Sequence, residues 1–178
     1  MRASEQDSFT FSESKQLKDC GWQENVKEFI FPDTFQEEIT VWPTDLKAII
    51  MSKGTSYNYM IEKFKLHDDI RVVFDSFYRT PLRNLSPGLK IIIFGHSCNY
   101  SIDDLPDSVE YIQLGYRFDQ PIHKFPASLK YIRFDHDYTH DIVLPYSESD
   151  KILVEVSTYY DGNIINESCH EIKYHVID

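Results

Sequence analysis

A twenty-residue period constrains this chain more than any other feature. LPDSVEYIQLGYRFDQPI begins at Leu105 and FPASLKYIRFDHDYTHDI at Phe125, while LSPGLKIIIFGHSCNYSI begins at Leu85 with its proline displaced by one. A unit this short cannot bury its own apolar face, so it must stack on its neighbours. Val109, Ile112, Leu114, Phe118 and Ile122 recur as Leu129, Ile132, Phe134, Tyr138 and Ile142. Leu89, Ile92, Phe94, Cys98 and Ile102 hold the same offsets.

Fainter copies flank these three. Val72, Phe74, Tyr78 and Leu82 keep the register, and Leu46, Ile49 and Met51 belong to a coil with about three extra residues. Val26, Phe29 and Phe31 are followed by Phe35 and Ile39, and Phe9 with Phe11 retain the spacing, as do Trp22 and Trp42. Downstream, Ile152 with Val154 and Ile172 with Tyr174 preserve the strand half alone. The expected organisation is a single repeat domain over residues 1–178. Residues 1–21 read as a degenerate cap, 22–144 as the repeats, and 145–178 as degenerate coils and a second cap.

Local chemistry explains the offsets. Ile132 and Phe134 alternate with Tyr131 and Arg133, the period of a short strand with one inward face. Pro43, Pro106 and Pro126 precede the strands, where a missing N–H spoils no ladder bond. Gly95 and Gly115, or Asp75 and Asp135, follow at a corner that favours turn formers. Twenty residues leave little room for a crossover helix, so the outer side is expected to be irregular or 3₁₀. The predicted fold is a β-rich, right-handed, leucine-rich-repeat-like solenoid of about eight coils with one parallel sheet. Its length would be roughly 40 Å at about 4.8 Å per strand.

The segment Phe118-Asp119-Gln120-Pro121-Ile122, following Leu105-Pro106-Asp107-Ser108-Val109, resembles the FNIP repeat, a short relative of leucine-rich repeats whose unit reads roughly L-P-x-S-L-x-x-L-x-F-G-x-x-F-N-Q-P-I. Degenerate versions begin at Phe35, Tyr57, Tyr78, Cys98 and Tyr138, and of these Asn58 and Asn99 keep the family asparagine. The resemblance implies a protein-binding solenoid rather than a catalyst. Such arrays are common in social amoebae and in giant DNA viruses that infect amoebae. Some of them follow an F-box and resemble substrate receptors of ubiquitin ligases. The first forty residues here lack the leucine-proline opening and helical pattern of an F-box, so ligase recruitment is not expected from them.

Composition narrows the partners. With 29 acidic against 18 basic side chains the net charge is −11, and the counterion-release attraction behind nucleic-acid and anionic-membrane binding is missing. Neither is expected as a partner. Cys20, Cys98 and Cys169 form no Cys-x-x-Cys pair, which fits reduced thiols. No apolar stretch near the start resembles a signal peptide. A cytoplasmic location is expected, in the host if the chain is viral, and the sequons at Asn84, Asn99 and Asn166 then read as accidental.

Catalytic and metal chemistry find little footing. His136 and His140 lie four apart among Asp135, Asp137 and Asp141, but that spacing aligns two ligands on a helix and not on a turn. No metal or cofactor is expected. No serine or cysteine stands in a recognisable nucleophile motif, and Cys98 occupies the slot of Phe118 as a small hydrophobe. The carboxylate pairs Asp103-Asp104, Asp68-Asp69 and Glu37-Glu38 raise the alternative of a parallel β-helix hydrolase acting on glycans. They fall in linkers where solvated charge is ordinary.

The residues that the core does not use point to a binding surface. If Phe29, Ile49, Val72, Ile92, Ile112 and Ile132 face inward, then Ile30, Ile50, Val73, Ile93, Gln113 and Arg133 share the opposite face. Ala48, Ile91, Tyr111 and Tyr131 extend this row. A solvated face has no need of so many aliphatic residues, and Tyr and Arg are enriched at binding hot spots. The expected function is non-catalytic binding of a protein partner through Ile30, Ile50, Val73, Ile91, Ile93, Tyr111, Gln113, Tyr131 and Arg133. A self-associating structural protein is the other reading, joined through this face or through open sheet edges, which must be capped or paired; the charged Lys173 and His175 near the end point to capping.

Overall fold

A computed structural model describes residues 8–10, 28–31, 46–51, 71–74, 85, 87–148, 150–168 and 170–176. These residues form a β-solenoid with no helix among them. The main sheet runs β1 (Ser8–Thr10), β2 (Glu28–Phe31), β3 (Ala48–Met51), β4 (Arg71–Phe74), β5 (Ile91–Phe94), β6 (Tyr111–Gln113), β7 (Tyr131–Arg133), β9 (Leu153–Ser157) and β11 (Glu171–His175). Every neighbouring pair is parallel. Nine strands stand where about eight were expected. Five of them, from β5 to β11, belong to coils described almost throughout.

The register follows the sequence period. Phe29 pairs with Ile49, Ile49 with Val72, Val72 with Ile92, Ile92 with Ile112, and Ile112 with Ile132. Ile49, Val72, Ile92, Ile112 and Ile132 are fully buried, and Phe74, Leu114 and Phe134 extend the same core. Pairing across β3 and β4 spans 23 residues, as three extra residues require.

Farther on, the period changes. Tyr131 pairs with Leu153 after 22 residues, and Leu153 with Glu171 after 18. Hence Val154 and Val156, not Ile152 and Val154, continue the row of Ile132 and Phe134, and both are fully buried. The two departures cancel over two coils, so Ile172 and Tyr174 return to the expected phase. This part of the chain also keeps turn positions that a strict twenty-residue count misses: Tyr160 packs against Tyr138, and Ile164 pairs with Ile142.

The outer side departs from the expectation of wholly irregular backbone. β8 (Ile142–Val143) and β10 (Ile164–Ile165) form a second, two-stranded parallel sheet. Elsewhere the described outer side consists of turns and irregular segments. Leu105 N–H donates to Ile102 O, Val109 N–H to Pro106 O and Leu129 N–H to Pro126 O, closing tight turns before the strands. At the other corner Cys98 N–H bonds Gly95 O, and Phe118 N–H bonds Gly115 O. A Cβ on Gly115 would lie 2.0 Å from Gly95 O. That approach requires the missing side chain, since no shift of a flexible group relieves a backbone clash.

Candidate functional site

The strand face is one surface built from alternate residues of successive strands. Ile50, Val73, Ile93, Gln113, Arg133 and Glu155 stand in register across β3 to β9, and β2 places Ile30 beside Ile50. All are half-buried, as close-packed strands leave side chains when none of the described residues lies over them. The second row joins Ala48, Arg71, Ile91, Tyr111, Tyr131 and Leu153. Ala48 does not contribute exposed surface, against the sequence reading: it is 0% exposed. Glu28 and Arg71 flank it on adjacent strands, and Arg71 Nη2 reaches Glu28 Oε1 at 2.7 Å. This ion pair closes over the small side chain between them.

Toward the later coils the face becomes aromatic and polar. The Tyr111 and Tyr131 rings stack with centroids 4.3 Å apart and planes 7° apart. Tyr131 Oη donates to Glu155 Oε2 at 2.7 Å. Burial first, then the Glu155 hydrogen bond and the neighbouring Tyr111, hold the Tyr131 phenol well above its ordinary pKa. It is therefore a fixed neutral donor, and the pair forms a rigid platform with two hydrogen-bonding edges. Beside it, Arg133 Nε is buried with no hydrogen-bond partner among the described residues, as are both ring nitrogens of His175. Burial, then the nearby Arg133, push the His175 imidazole pKa down, although Asp135 and Glu155 oppose the shift.

A second aromatic array, missed in the sequence reading, runs along the corner after the strands. His96 stacks on Tyr116 at 4.9 Å and Tyr116 on His136 at 5.0 Å, with planes within 5°. Tyr159 follows His136 in a tilted contact at 5.3 Å. The signal lies in the twenty-residue spacing of His96, Tyr116 and His136, which apolar offsets alone do not reveal. Their faces are consumed in stacking, so mainly their edges meet solvent.

The polar groups that hinted at chemistry are engaged in joining coils. Asn99 Oδ1 accepts from Asp119 N–H at 2.9 Å and from Gln120 Nε2 at 3.1 Å. Asp119 Oδ1 in turn accepts from the backbone N–H and the hydroxyl of Thr139, both at 2.9 Å. Asp103 Oδ1 caps the N–H groups of His123 and Lys124, and Asp141 Oδ1 that of Asn163. His136 Nδ1 lies 2.9 Å from Asp137 Oδ1, and His140 Nε2 lies 3.2 Å from Asp119 O, with Tyr138 buried between the two histidines. Among the described residues no group of three or more His, Cys, Asp and Glu side chains converges as metal ligands would. Cys98 is buried in the slot that Phe118 and Tyr138 fill in the next coils. Trp22, Trp42, Asp68-Asp69 and Glu37-Glu38 lie outside the described residues.

At the C-terminal end the buried His170 ties three segments together. Its Nδ1 accepts from Ile152 N–H at 3.0 Å, which leaves Nε2 to donate to Pro145 O at 2.8 Å. Asn166 bonds both backbone groups of the same residue. The amides of Asn99 and Asn166 thus serve internal bonds, and neither sequon is needed to explain its asparagine.

Comparison with known families gives one match: the FNIP Repeat model matches residues 80–117 and 101–137. The matched span contains β5, β6 and β7, and with them the Tyr111–Tyr131 stack, Gln113 and Arg133. No curated protein and no solved structure matches the chain.

Proposed function

Residues 80–137 are FNIP repeats, and from that premise we propose that this chain is a non-catalytic, cytoplasmic protein-interaction module. It binds a protein partner through the strand face of the solenoid. A solenoid of FNIP repeats is typical of non-enzymatic repeat proteins, and the arrangement of polar groups supports that class. Asp103, Asp119 and Asp141 are spent on the backbone of the following coil.

The observation that carries the proposal is the platform formed by Tyr111 and Tyr131, locked by Glu155 and bordered by Gln113, Arg133 and the apolar Ile93. Rigid aromatic rings next to an arginine give large contact area at low entropic cost, the combination that dominates binding energy at protein interfaces. The net charge of −11 favours a partner with a neutral or basic contact surface and disfavours nucleic acid.

Affinity capture from native lysate with quantitative mass spectrometry tests this reading, comparing the wild type with Ile93→Glu. The wild type retains a stoichiometric protein that Ile93→Glu loses while keeping its sheet signal by circular dichroism. Equal recovery with both proteins moves the binding surface away from the strand face. Tyr131→Ala is a poorer probe of binding than Ile93→Glu. It removes the stack on Tyr111 and the bond to Glu155, so it lowers stability as well as binding.

A further inference from the structure

The last strand in the sheet order, β11, has one edge that meets no other strand among the described residues. Glu171 N–H donates to Ile152 O at 3.0 Å, and Thr158 N–H donates to His175 O at 2.9 Å. In a parallel ladder the N–H and C=O of one residue point the same way and alternate along the strand. Glu171, Lys173 and His175 therefore address β9, and the backbone groups of Ile172 and Tyr174 point outward. Such an edge is a template for another strand. Beside the charged Glu171 and Lys173 the edge presents apolar surface: Tyr174 is 63% exposed and Val176, just beyond the strand, 70% exposed. Tyr174 occupies an inward-facing phase, where the preceding coil has the fully buried Val156.

We propose that β11 pairs antiparallel with β11 of a second copy of this chain, about a two-fold axis through Lys173. That register places Ile172 opposite Tyr174 in both halves. Both residues have outward backbone groups, so each pair exchanges two hydrogen bonds, as the hydrogen-bonded sites of an antiparallel ladder do. Their side chains form a β-branched–aromatic cross-strand pair of the kind that stabilises sheets. On the other face Glu171 of one copy stands opposite His175 of the other, at a non-hydrogen-bonded site where side chains approach most closely.

The His175 ring nitrogens provide the independent observation. In the single chain both are covered and have no hydrogen-bond partner among the described residues; a turn of the ring toward the strand edge satisfies one of them, because this pairing sets the Glu171 carboxylate of the other copy opposite that residue. Lys173 meets its own copy at the axis, and the Glu171 carboxylate 3.3 Å from its amine offsets the repulsion. Neighbouring registers are poorer. Centring on Tyr174 sets Lys173 against His175, and centring on Ile172 takes Glu171 away from His175 and sets Tyr174 against His170, whose N–H and C=O both already bond Asn166.

Sedimentation equilibrium over a dilution series of the full chain tests the proposal. The wild type is expected at twice the 21.0 kDa chain mass, and Tyr174→Pro at the monomer mass. Proline there removes an outward N–H and no bond to β9. His175→Glu, which sets two carboxylates against each other, should also be monomeric; its sheet signal is checked alongside, because Asp135 and Glu155 as well as Arg133 lie near that side chain within the chain. Adding Glu171→Lys to this variant should restore the dimer. If Tyr174→Pro loses its sheet signal, the charge-reversal pair decides. A wild type that is monomeric throughout, one that grows into open polymers, or a dimer indifferent to the charge variants overturns the assignment.

Discussion

Asp119 Oδ1 accepts the backbone N–H of Thr139, twenty residues later, at 2.9 Å. Asn99 makes the equivalent bond to Asp119 one coil earlier. The turn therefore requires an acceptor oxygen at this position, and a carboxylate supplies it as well as an amide does. Asp119→Asn should leave the thermal midpoint nearly unchanged, whereas Asp119→Ala should cost about 1–3 kcal/mol by stranding the Thr139 donor. Denaturant melts of the two variants make the comparison.

Ile112 is fully buried and its neighbour Gln113 lies on the strand face. Ile112→Ala should cost about 2–5 kcal/mol by leaving a cavity between coils, and Gln113→Ala roughly 0.5 kcal/mol or less. Equal costs in urea titrations would contradict the register.

Tyr138 fills the slot of Phe118 in the aromatic column, its ring 5.9 Å from that neighbour, but its hydroxyl is buried without a hydrogen-bond partner among the described residues. Burial, with Tyr160 and the surrounding carboxylates, pushes its phenol pKa up. Tyr138→Phe keeps the packing and removes the stranded hydroxyl, so it should raise stability by up to about 1 kcal/mol. A lower calorimetric midpoint would mean that the hydroxyl has a partner.

Burial alone would raise the Asp103 pKa, but hydrogen bonds from His123 and Lys124 outweigh it and bring the value below the ordinary 3.8. A carboxyl with a depressed folded pKa stabilises the fold above its unfolded pKa, and that contribution is lost as pH falls through the folded value. The wild type should therefore lose more stability than Asp103→Asn on acidification below about pH 4. Parallel midpoint-against-pH curves would refute a role for the charge.

The sequence read the strand register well because burial selects for it: Ile92, Ile112 and Ile132 must be apolar, and a period of twenty exposes the row. Two kinds of feature escaped. Insertions that cancel, as between Ile132, Val154 and Ile172, leave the phase intact at the ends and hide the shift between them. Side chains that matter by stacking or by covering, such as His96 on Tyr116 or Arg71 over Ala48, carry no apolar signature. The strand-face residues were legible as a row, but the bond from Tyr131 to Glu155 was not. It depends on a 22-residue coil that the period does not foretell.

Hydroxyl-radical footprinting of the chain, alone and with its captured partner, tests the central claim most directly. The account predicts protection of Tyr111, Tyr131 and Ile93 in the complex, with His96, Tyr116 and Tyr159 along the corner reacting as they do in the free chain. Protection of the corner array with an unchanged strand face would contradict it.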